Sequence, residues 1–203
     1  MVDRGHEGLS KKNYRTYSKL YRDPASFQVV ENELLWELGK DALQRGAGQA
    51  IEAWSCGCSA GEEVFSLLMS WEQVLAEHFP GVDLSYLGTD ISHEAIVAAK
   101  RAEYGEHAVQ DVPEAWVERC FDIGQLEQQQ TYTVQQRLKR HATFIQQDVR
   151  ETMPNKSFDL VTCRYSVFLY CSKEECATFL RELVEFGCLR AGGFLFIGQP
   201  DEL

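Results

Sequence analysis

Ala53-Trp-Ser-Cys-Gly-Cys-Ser-Ala-Gly-Glu-Glu-Val64 is a turn of small residues set between an apolar, strand-like run (residues 50–55) and an amphipathic, helix-like one (residues 62–77). Gly57, Ser59 and Gly61 leave the backbone open to close approach, which is how strand-to-helix turns in parallel sheets receive nucleotide-like ligands. Glu62 and Glu63, where the helix opens, set the sign of the ligand. Helix N-termini attract anions, so a phosphate-binding turn seldom carries two carboxylates at its mouth, whereas a turn for a cation tolerates or needs them.

A positively charged nucleoside without phosphate therefore suits this turn, and S-adenosylmethionine is the common one. A dinucleotide pyrophosphate is disfavoured by the same charges. The Gly57-x-Ser59-x-Gly61 spacing also matches the nucleophile elbow of α/β-hydrolases, but that triad needs an acid and then a His further on. The last His is His141, ahead of the final two strand-like runs.

Working outward, strand and helix patterns alternate. Phe27, Val30, Leu34, Leu35 and Leu38 recur at helical spacing after Asp23-Pro24 and fade near Gly46 and Gly48. Residues 84–89 read as a second strand, and residues 92–102 as a helix capped by Ser92. Strands follow at 142–146 and 158–163, a helix at 173–186, a turn at Gly192-Gly193 and a strand at 194–198. This alternation predicts an α/β fold, a mostly parallel sheet with helices on both faces, whose ligands sit beyond the carboxyl ends of the strands. Residues 103–141 break the rhythm with Tyr104-Gly105, Pro113, a Gln run and a lone strand-like Tyr132-Thr-Val, so they predict a small inserted subdomain. Residues 1–13 are polar and aperiodic, which predicts a disordered tail before a single domain over 14–203.

Composition narrows the class. The 203 residues are 44% hydrophobic and 25% charged, ordinary for one globular domain with a substantial core. Against 31 acidic side chains stand 20 Lys and Arg, and the net charge of −11 excludes sequence-independent binding to a nucleic-acid backbone except through a local patch. The one basic cluster, Arg137, Lys139, Arg140 and His141, reads as a solvated segment. No apolar run reaches bilayer length, the N-terminus has no signal-like apolar core, and the final Pro-Asp-Glu-Leu only loosely matches a retention tag, so a cytoplasmic location is expected. Seven cysteines without repeated zinc-site spacing predict no metal, and Cys163 and Cys188 lie in apolar stretches as small hydrophobes.

Each candidate residue lies at a strand end. Asp90, closing Leu-Gly-Thr-Asp, is placed to accept both hydroxyls of a ribose, or to be a helix N-terminal residue beside Ser92. Asp148 and Val149 follow the strand at 142–146 and offer a carboxylate and a backbone N–H to an adenine edge, or form a plain turn. The buried run Phe158-Asp-Leu-Val-Thr-Cys leads into Arg164, Tyr165, Ser166 and Tyr170. Arg is suited to hold an acceptor carboxylate because its fork matches two oxygens, while the tyrosines have a packing reading as well.

Together these stretches resemble the CheR family, S-adenosylmethionine-dependent methyltransferases that esterify glutamate side chains on bacterial chemoreceptors. The likeness runs from about Lys19 to Leu203. Trp54-Ser-Cys-Gly-Cys-Ser-Ala-Gly-Glu-Glu-Val-Phe-Ser resembles the family's Trp-Ser-Ala-Gly-Cys-Ser-Thr-Gly-Glu-Glu-Pro-Tyr-Ser. Leu87-Gly-Thr-Asp-Ile-Ser and Leu195-Phe-Ile-Gly-Gln-Pro-Asp-Glu-Leu are similar to two further family segments.

The resemblance implies a Rossmann-like class I methyltransferase fold, with S-adenosylmethionine as cofactor and S-adenosylhomocysteine as its product. It implies that Glu63 holds the methionine ammonium, that Gly57, Ser59 and Gly61 line the cofactor, that Asp90 with Ile91 takes the ribose, and that Asp148 and Val149 flank the adenine. Arg22, in Leu20-Tyr-Arg-Asp, is similar to the Arg of the family's Phe-Phe-Arg signature, which reaches into the active site and touches cofactor and acceptor. Arg164 and Tyr170 complete the catalytic set implied.

Three departures stand out. The family's Cys-Arg-Asn-Val-Leu-Ile-Tyr-Phe appears as Cys163-Arg-Tyr-Ser-Val-Phe-Leu-Tyr170, so Tyr165 replaces the Asn and Tyr170 takes the family Tyr position only with one inserted residue. The family's N-terminal helical domain has no counterpart in the twenty residues before Tyr21. Residues 103–141 stand in place of the β-subdomain that recognises receptor tails, without a clear three-strand pattern. The expected function is methyl transfer to a glutamate carboxylate of a protein acceptor, without nucleic acid or membrane insertion. A small-molecule or other oxygen or nitrogen acceptor, or a non-catalytic cofactor-binding module, are the alternatives.

Overall fold

The computed structural model describes residues 18–46, 48–126 and 128–198, so the expectation for residues 1–13 lies outside the described residues. The chain enters through α1 (Pro24–Val29), which runs through a π-helical segment (Val30–Leu35) into α2 (Trp36–Arg45). The repeat then alternates: β1 (Ala50–Cys56), α3 (Glu62–Ser70) with a π-helical continuation (Trp71–Leu75), β2 (Asp83–Asp90) and α4 (His93–Arg101). Ser92 caps α4 as expected, its hydroxyl accepting the Ala95 N–H at 3.2 Å.

An inserted unit follows: β3 (Glu103–Gly105), α5 (Glu106–Val109), α6 (Glu114–Cys120), β4 (Phe121–Leu126), β5 (Gln129–Val134) and α7 (Gln136–Lys139). The sheet resumes with β6 (Ala142–Gln146) and β7 (Phe158–Cys163), then α8 (Val167–Tyr170), α9 (Lys173–Glu185) and β8 (Leu189–Ile197). Five parallel strands are ordered β6-β2-β1-β7-β8, so the chain reverses direction across the sheet at β1 and β7. Such a switch point opens a crevice above the carboxyl ends.

Alternation along the strands builds two cores, one on each face. Ala53 and Leu160 belong to the larger core, with Phe27, Leu35, Phe65, Ile96 and Tyr104 from helices and insert. Their neighbours Trp54 and Val161 belong to the smaller one, beneath Phe168, Phe179 and Leu183. Each buried Leu, Ile, Val or Phe among these contributes about 1.5–3 kcal/mol of transfer free energy. Helices on both faces of a parallel sheet is the architecture predicted from the alternation.

Two expectations are corrected. Residues 103–141 do contain three strands, an antiparallel sheet ordered β3-β5-β4. Five of the six β4 residues are exposed, Ile123 and Leu126 among them, so the strand has no buried face of its own, and its short alternation stops at Gly124-Gln125. The last strand begins at Leu189 rather than Phe194. Gly192 and Gly193 lie inside it, at an irregularity where pairing jumps from Phe158↔Leu189 to Leu160↔Phe194. A Cβ on Gly193 would stand 2.8 Å from the Asp159 carbonyl oxygen, so the irregular strand itself requires glycine there.

The basic cluster is tied into the structure. Arg137 donates to Glu72 Oε1 at 2.7 Å and Lys139 to the Arg101 carbonyl at 2.9 Å. Among the described residues no helix is long and apolar enough to cross a membrane.

Candidate active site

The glycine turn is fixed to the end of β2 by backbone. The N–H groups of Gly57 and Cys58 both donate to the Thr89 carbonyl, at 2.8 and 2.9 Å. Ser59 donates its N–H to Asp90 Oδ2 at 2.9 Å, and Ser92 donates to Asp90 Oδ1 at 2.9 Å. Asp90 is thus both a brace for the turn and the start of the next helix, and each of its oxygens keeps a lone pair for a ligand. Below the turn, the wholly buried Trp54 donates its indole N–H to Thr89 Oγ1 at 2.9 Å, which satisfies its one polar atom. From the insert, Tyr104 donates its hydroxyl to the Ala60 carbonyl at 2.8 Å.

The glycines are needed for packing as well as for access. Gly57 has φ +79°, and a Cβ there would stand 2.4 Å from the Ser166 Cβ. A Cβ on Gly61, φ +87°, would meet Phe144, Phe65 and Ala99 at 3.1–3.3 Å. Ser166 therefore sits over Gly57, its hydroxyl donating to the Cys56 carbonyl at 2.6 Å.

Glu62 and Glu63 differ in environment. Glu62 is buried, its Oε2 has no hydrogen-bond partner, and burial pushes its carboxyl above the usual range. Glu63 accepts the Ser55 hydroxyl at 3.3 Å and lies 3.6 Å from Arg164 Nη1. The Arg164 side chain is only 6% exposed. Its guanidinium carbon stands 4.8, 5.5 and 5.6 Å from the ring centres of Phe196, Tyr165 and Phe27, an aromatic cage suited to a cation. Its Nε is buried without a hydrogen-bond partner.

Arg22 reaches the same place from the start of the chain, 4.3 Å above the Tyr165 ring. Five described residues other than glycine have positive φ, among them Tyr21 and Asp23, which flank Arg22 in sequence, and Ser59 and Tyr165 at the strand ends. Backbone strain of this kind collects at functional sites.

The structure thus brings Arg22, Gly57, Ser59, Gly61, Glu63, Asp90 and Arg164 to one end of the sheet. Ile91, next to Asp90, is exposed, and its carbonyl accepts from Gln146 at 3.0 Å. Asp148 reaches the same edge, because Gln147 donates its N–H to the Asp90 carbonyl at 3.0 Å. Its two oxygens are held by Arg150, with contacts of 2.5–3.2 Å, and those hydrogen bonds keep its carboxyl below the usual range. The plain-turn reading thus describes the present contacts of Asp148, while Val149 is half-buried beside it.

Tyr170 is not brought in. It is 79% exposed, because α8 turns Val167 and Phe168 into the smaller core and leaves Leu169 and Tyr170 facing out. The tyrosine beside the two arginines is Tyr165, which the family pattern gave no reason to select. Its sequence signals were its place just after a buried strand and the expected replacement of the family Asn. Nothing local in the sequence marked Ser166 as the residue above Gly57.

Two other features of the described residues are not the site. A hollow of about 250 Å³ at the amino end of the strands is bordered by Glu37, Asp41, Asp159 and Arg190. Its buried Asp159 is already paired with Arg190, with Arg45 at 3.4 Å and with the Glu52 N–H at 2.8 Å. Among the described residues no group of three or more His, Cys, Asp or Glu is arranged to hold a metal. Burial raises the Cys56 and Cys58 thiols well above their ordinary value, away from the metal-binding thiolate.

Residues 16–203 match the family described as "CheR methyltransferase, SAM binding domain". The chain is 28% identical over 187 residues to a chemotaxis protein methyltransferase of Listeria monocytogenes, covering 92% of this chain and 65% of that protein. It is 28% identical over 189 residues to chemotaxis protein methyltransferase 1 of Pseudomonas aeruginosa, covering 90% and 65%. A 104.1 kDa uncharacterized protein of Rhodobacter capsulatus is 27% identical over 188 residues, of which the match covers 18%. The chain therefore spans less than two thirds of these relatives' own length. Among solved structures, a DszA carbon methyltransferase superposes with a TM-score of 0.52 at 19% identity, over 86% of this chain and 35% of that one, a likeness of fold.

Proposed function

The chain belongs to the CheR methyltransferase family through its SAM-binding domain, and from that premise we propose that it transfers a methyl group from S-adenosylmethionine to a glutamate carboxylate of a protein acceptor. The observation that carries the reading is the division of charge along the crevice. Carboxylates, Glu63 and Asp90, stand at the glycine turn; guanidiniums, Arg22 and Arg164, stand at the end of β7.

The residues fit the cofactor. Asp90 keeps one free lone pair on each oxygen for the two ribose hydroxyls. Glu63 takes the ammonium of the methionine end, and its loose pair with Arg164 at 3.6 Å holds the carboxylate in place for that exchange. Ser59 Oγ, buried and without a hydrogen-bond partner, is a further polar atom beside the turn. Asp148 would meet the adenine only by giving up part of its grip on Arg150.

Bound S-adenosylmethionine supplies an electrophilic methyl group on a sulfonium. The chain's own part is alignment and exclusion of water, since an in-line displacement gains most from a fixed approach. Arg22 and Arg164 place positive charge where a carboxylate must sit, that of the cofactor's methionine end or that of the incoming acceptor, and a guanidinium fork matches its two oxygens. A carboxylate nucleophile is already ionised near neutral pH, so no general base is required.

The test is transfer of labelled methyl from S-adenosylmethionine to candidate acceptor proteins, followed by mild base. Label on protein that base releases supports an ester. Label in a small metabolite, or none, removes the acceptor assignment; absence of calorimetric binding of S-adenosylhomocysteine removes the cofactor as well.

A further inference from the structure

We propose that Tyr165 is a positioning residue which, by stacking its ring against Arg22, makes the two side chains act as one unit in capturing the cofactor. The inference rests on the cofactor assignment above and adds a residue at which the chain departs from its family. Arg22 arrives from a segment far away in sequence and is half-buried. A long flexible cation loses rotamer freedom when it is fixed over a ligand, and a partner that holds it beforehand lowers that cost.

Tyr165 is built for that purpose. Its ring centre lies 4.3 Å from the Arg22 guanidinium and 5.5 Å from that of Arg164. The ring therefore contacts both cations, with Arg164 fixed further by Phe27, Phe196 and Glu63. The backbone of Tyr165 is left-handed, φ +54°, a conformation costly for an aromatic residue and accepted here at the strand end. Tyr21 and Asp23, also at positive φ, set the backbone on either side of Arg22, and Tyr21 donates its N–H to Ser66 Oγ at 2.7 Å, anchoring that segment to α3. Both members of the pair are thus placed from opposite sides by strained backbone.

Two substitutions separate the ring from everything else at the position. Tyr165→Asn removes the ring and puts in a residue that tolerates left-handed backbone, so the turn survives. Tyr165→Phe keeps the ring and removes only the hydroxyl. The measurement is the Kd for S-adenosylhomocysteine by calorimetry, in wild type, both single variants, Arg22→Ala and the double variant Arg22→Ala/Tyr165→Asn. Tyr165→Asn should weaken binding about fivefold, the size of a part-buried cation–π contact, and Tyr165→Phe less than about twofold. Arg22→Ala should cost about tenfold, and the double variant the same tenfold rather than fiftyfold, since the ring has nothing left to hold. A merely structural role for Tyr165 would make the two losses multiply. Multiplied losses, or an Asn variant that binds like wild type, overturn the inference and leave the cofactor assignment intact. A wild-type chain that gives no heat overturns both.

Discussion

The two banks of the crevice are made differently. The bank at β1, α3 and β2 is held by main chain: Gly57, Cys58 and Ser59 are tied to Thr89 and Asp90 through their own N–H groups, and Gly61 donates to the Cys58 carbonyl. The bank at the end of β7 is held by side chains, the Ser166 hydroxyl on the Cys56 carbonyl and rings against Arg22 and Arg164. A main-chain bank tolerates few residue types, because left-handed backbone and close approach select for glycine. A side-chain bank can be rebuilt with other residues, and the expected departure at Tyr165, where the resemblance implies Asn, falls in this bank.

The largest effect should come from cutting the main-chain bank at Asp90, the side chain that accepts two of its N–H groups. Asp90→Ala leaves the Ser59 and Ser92 N–H groups without their acceptor and removes the ribose partner. Charge-assisted hydrogen bonds of this kind contribute about 1.5–3 kcal/mol each, so affinity for S-adenosylhomocysteine should fall by about a hundredfold or more. Calorimetry checks it, and an unchanged Kd would remove Asp90 from the site.

Where the banks meet, Gly57→Ala should be the next most damaging. The new Cβ would stand 2.4 Å from the Ser166 Cβ at a φ of +79°. Overlap and backbone strain together should lower stability by about 2–3 kcal/mol, visible in a urea titration. Ser166→Gly clears the overlap, leaves the strain and removes the hydrogen bond to the Cys56 carbonyl, so in that background Gly57→Ala should cost about half of what it costs in wild type. An equal cost in both backgrounds would mean that the two banks do not touch there.

The same division explains what the sequence disclosed. The glycine turn, its acids and the acid ending β2 were legible because their constraints are local: a turn between a strand and a helix, and a carboxylate one strand away. The parallel sheet followed from alternation, and the larger core from helical spacing of Phe27, Val30, Leu35 and Phe65. Residues 121–126 were not legible as a strand, because the alternation begun by Phe121 and Ile123 breaks at Gly124-Gln125 and is too short to stand out. The residue above Gly57 lies 110 positions from the carbonyl it binds, and no motif spans that distance. Tyr170 was selected by spacing along an aligned segment, whereas a single helical turn decides which side chains face inward. Tyr170→Phe should accordingly leave the Kd for S-adenosylhomocysteine within about twofold, since surface substitutions away from a site change little. A tenfold loss would place that hydroxyl in the crevice after all.

A pH-dependent effect separates the two acids of the first bank, of which Glu63 is paired with Arg164. Burial raises the pKa of Glu62, so the folded chain holds its proton to higher pH than the unfolded chain does. Between the ordinary glutamate value and the raised one, the folded state binds more protons, and stability from this group is lost as pH rises through that window. Glu62→Gln removes the titration and keeps the shape. The variant should match wild type in acid and exceed it at pH 8 by about 1 kcal/mol, the lower end of the cost of a buried oxygen without a partner. Thermal melts at the two pH values measure the difference. An advantage that is the same at both would show that the Glu62 carboxyl titrates alike in the folded and unfolded chains, so that burial does not raise it.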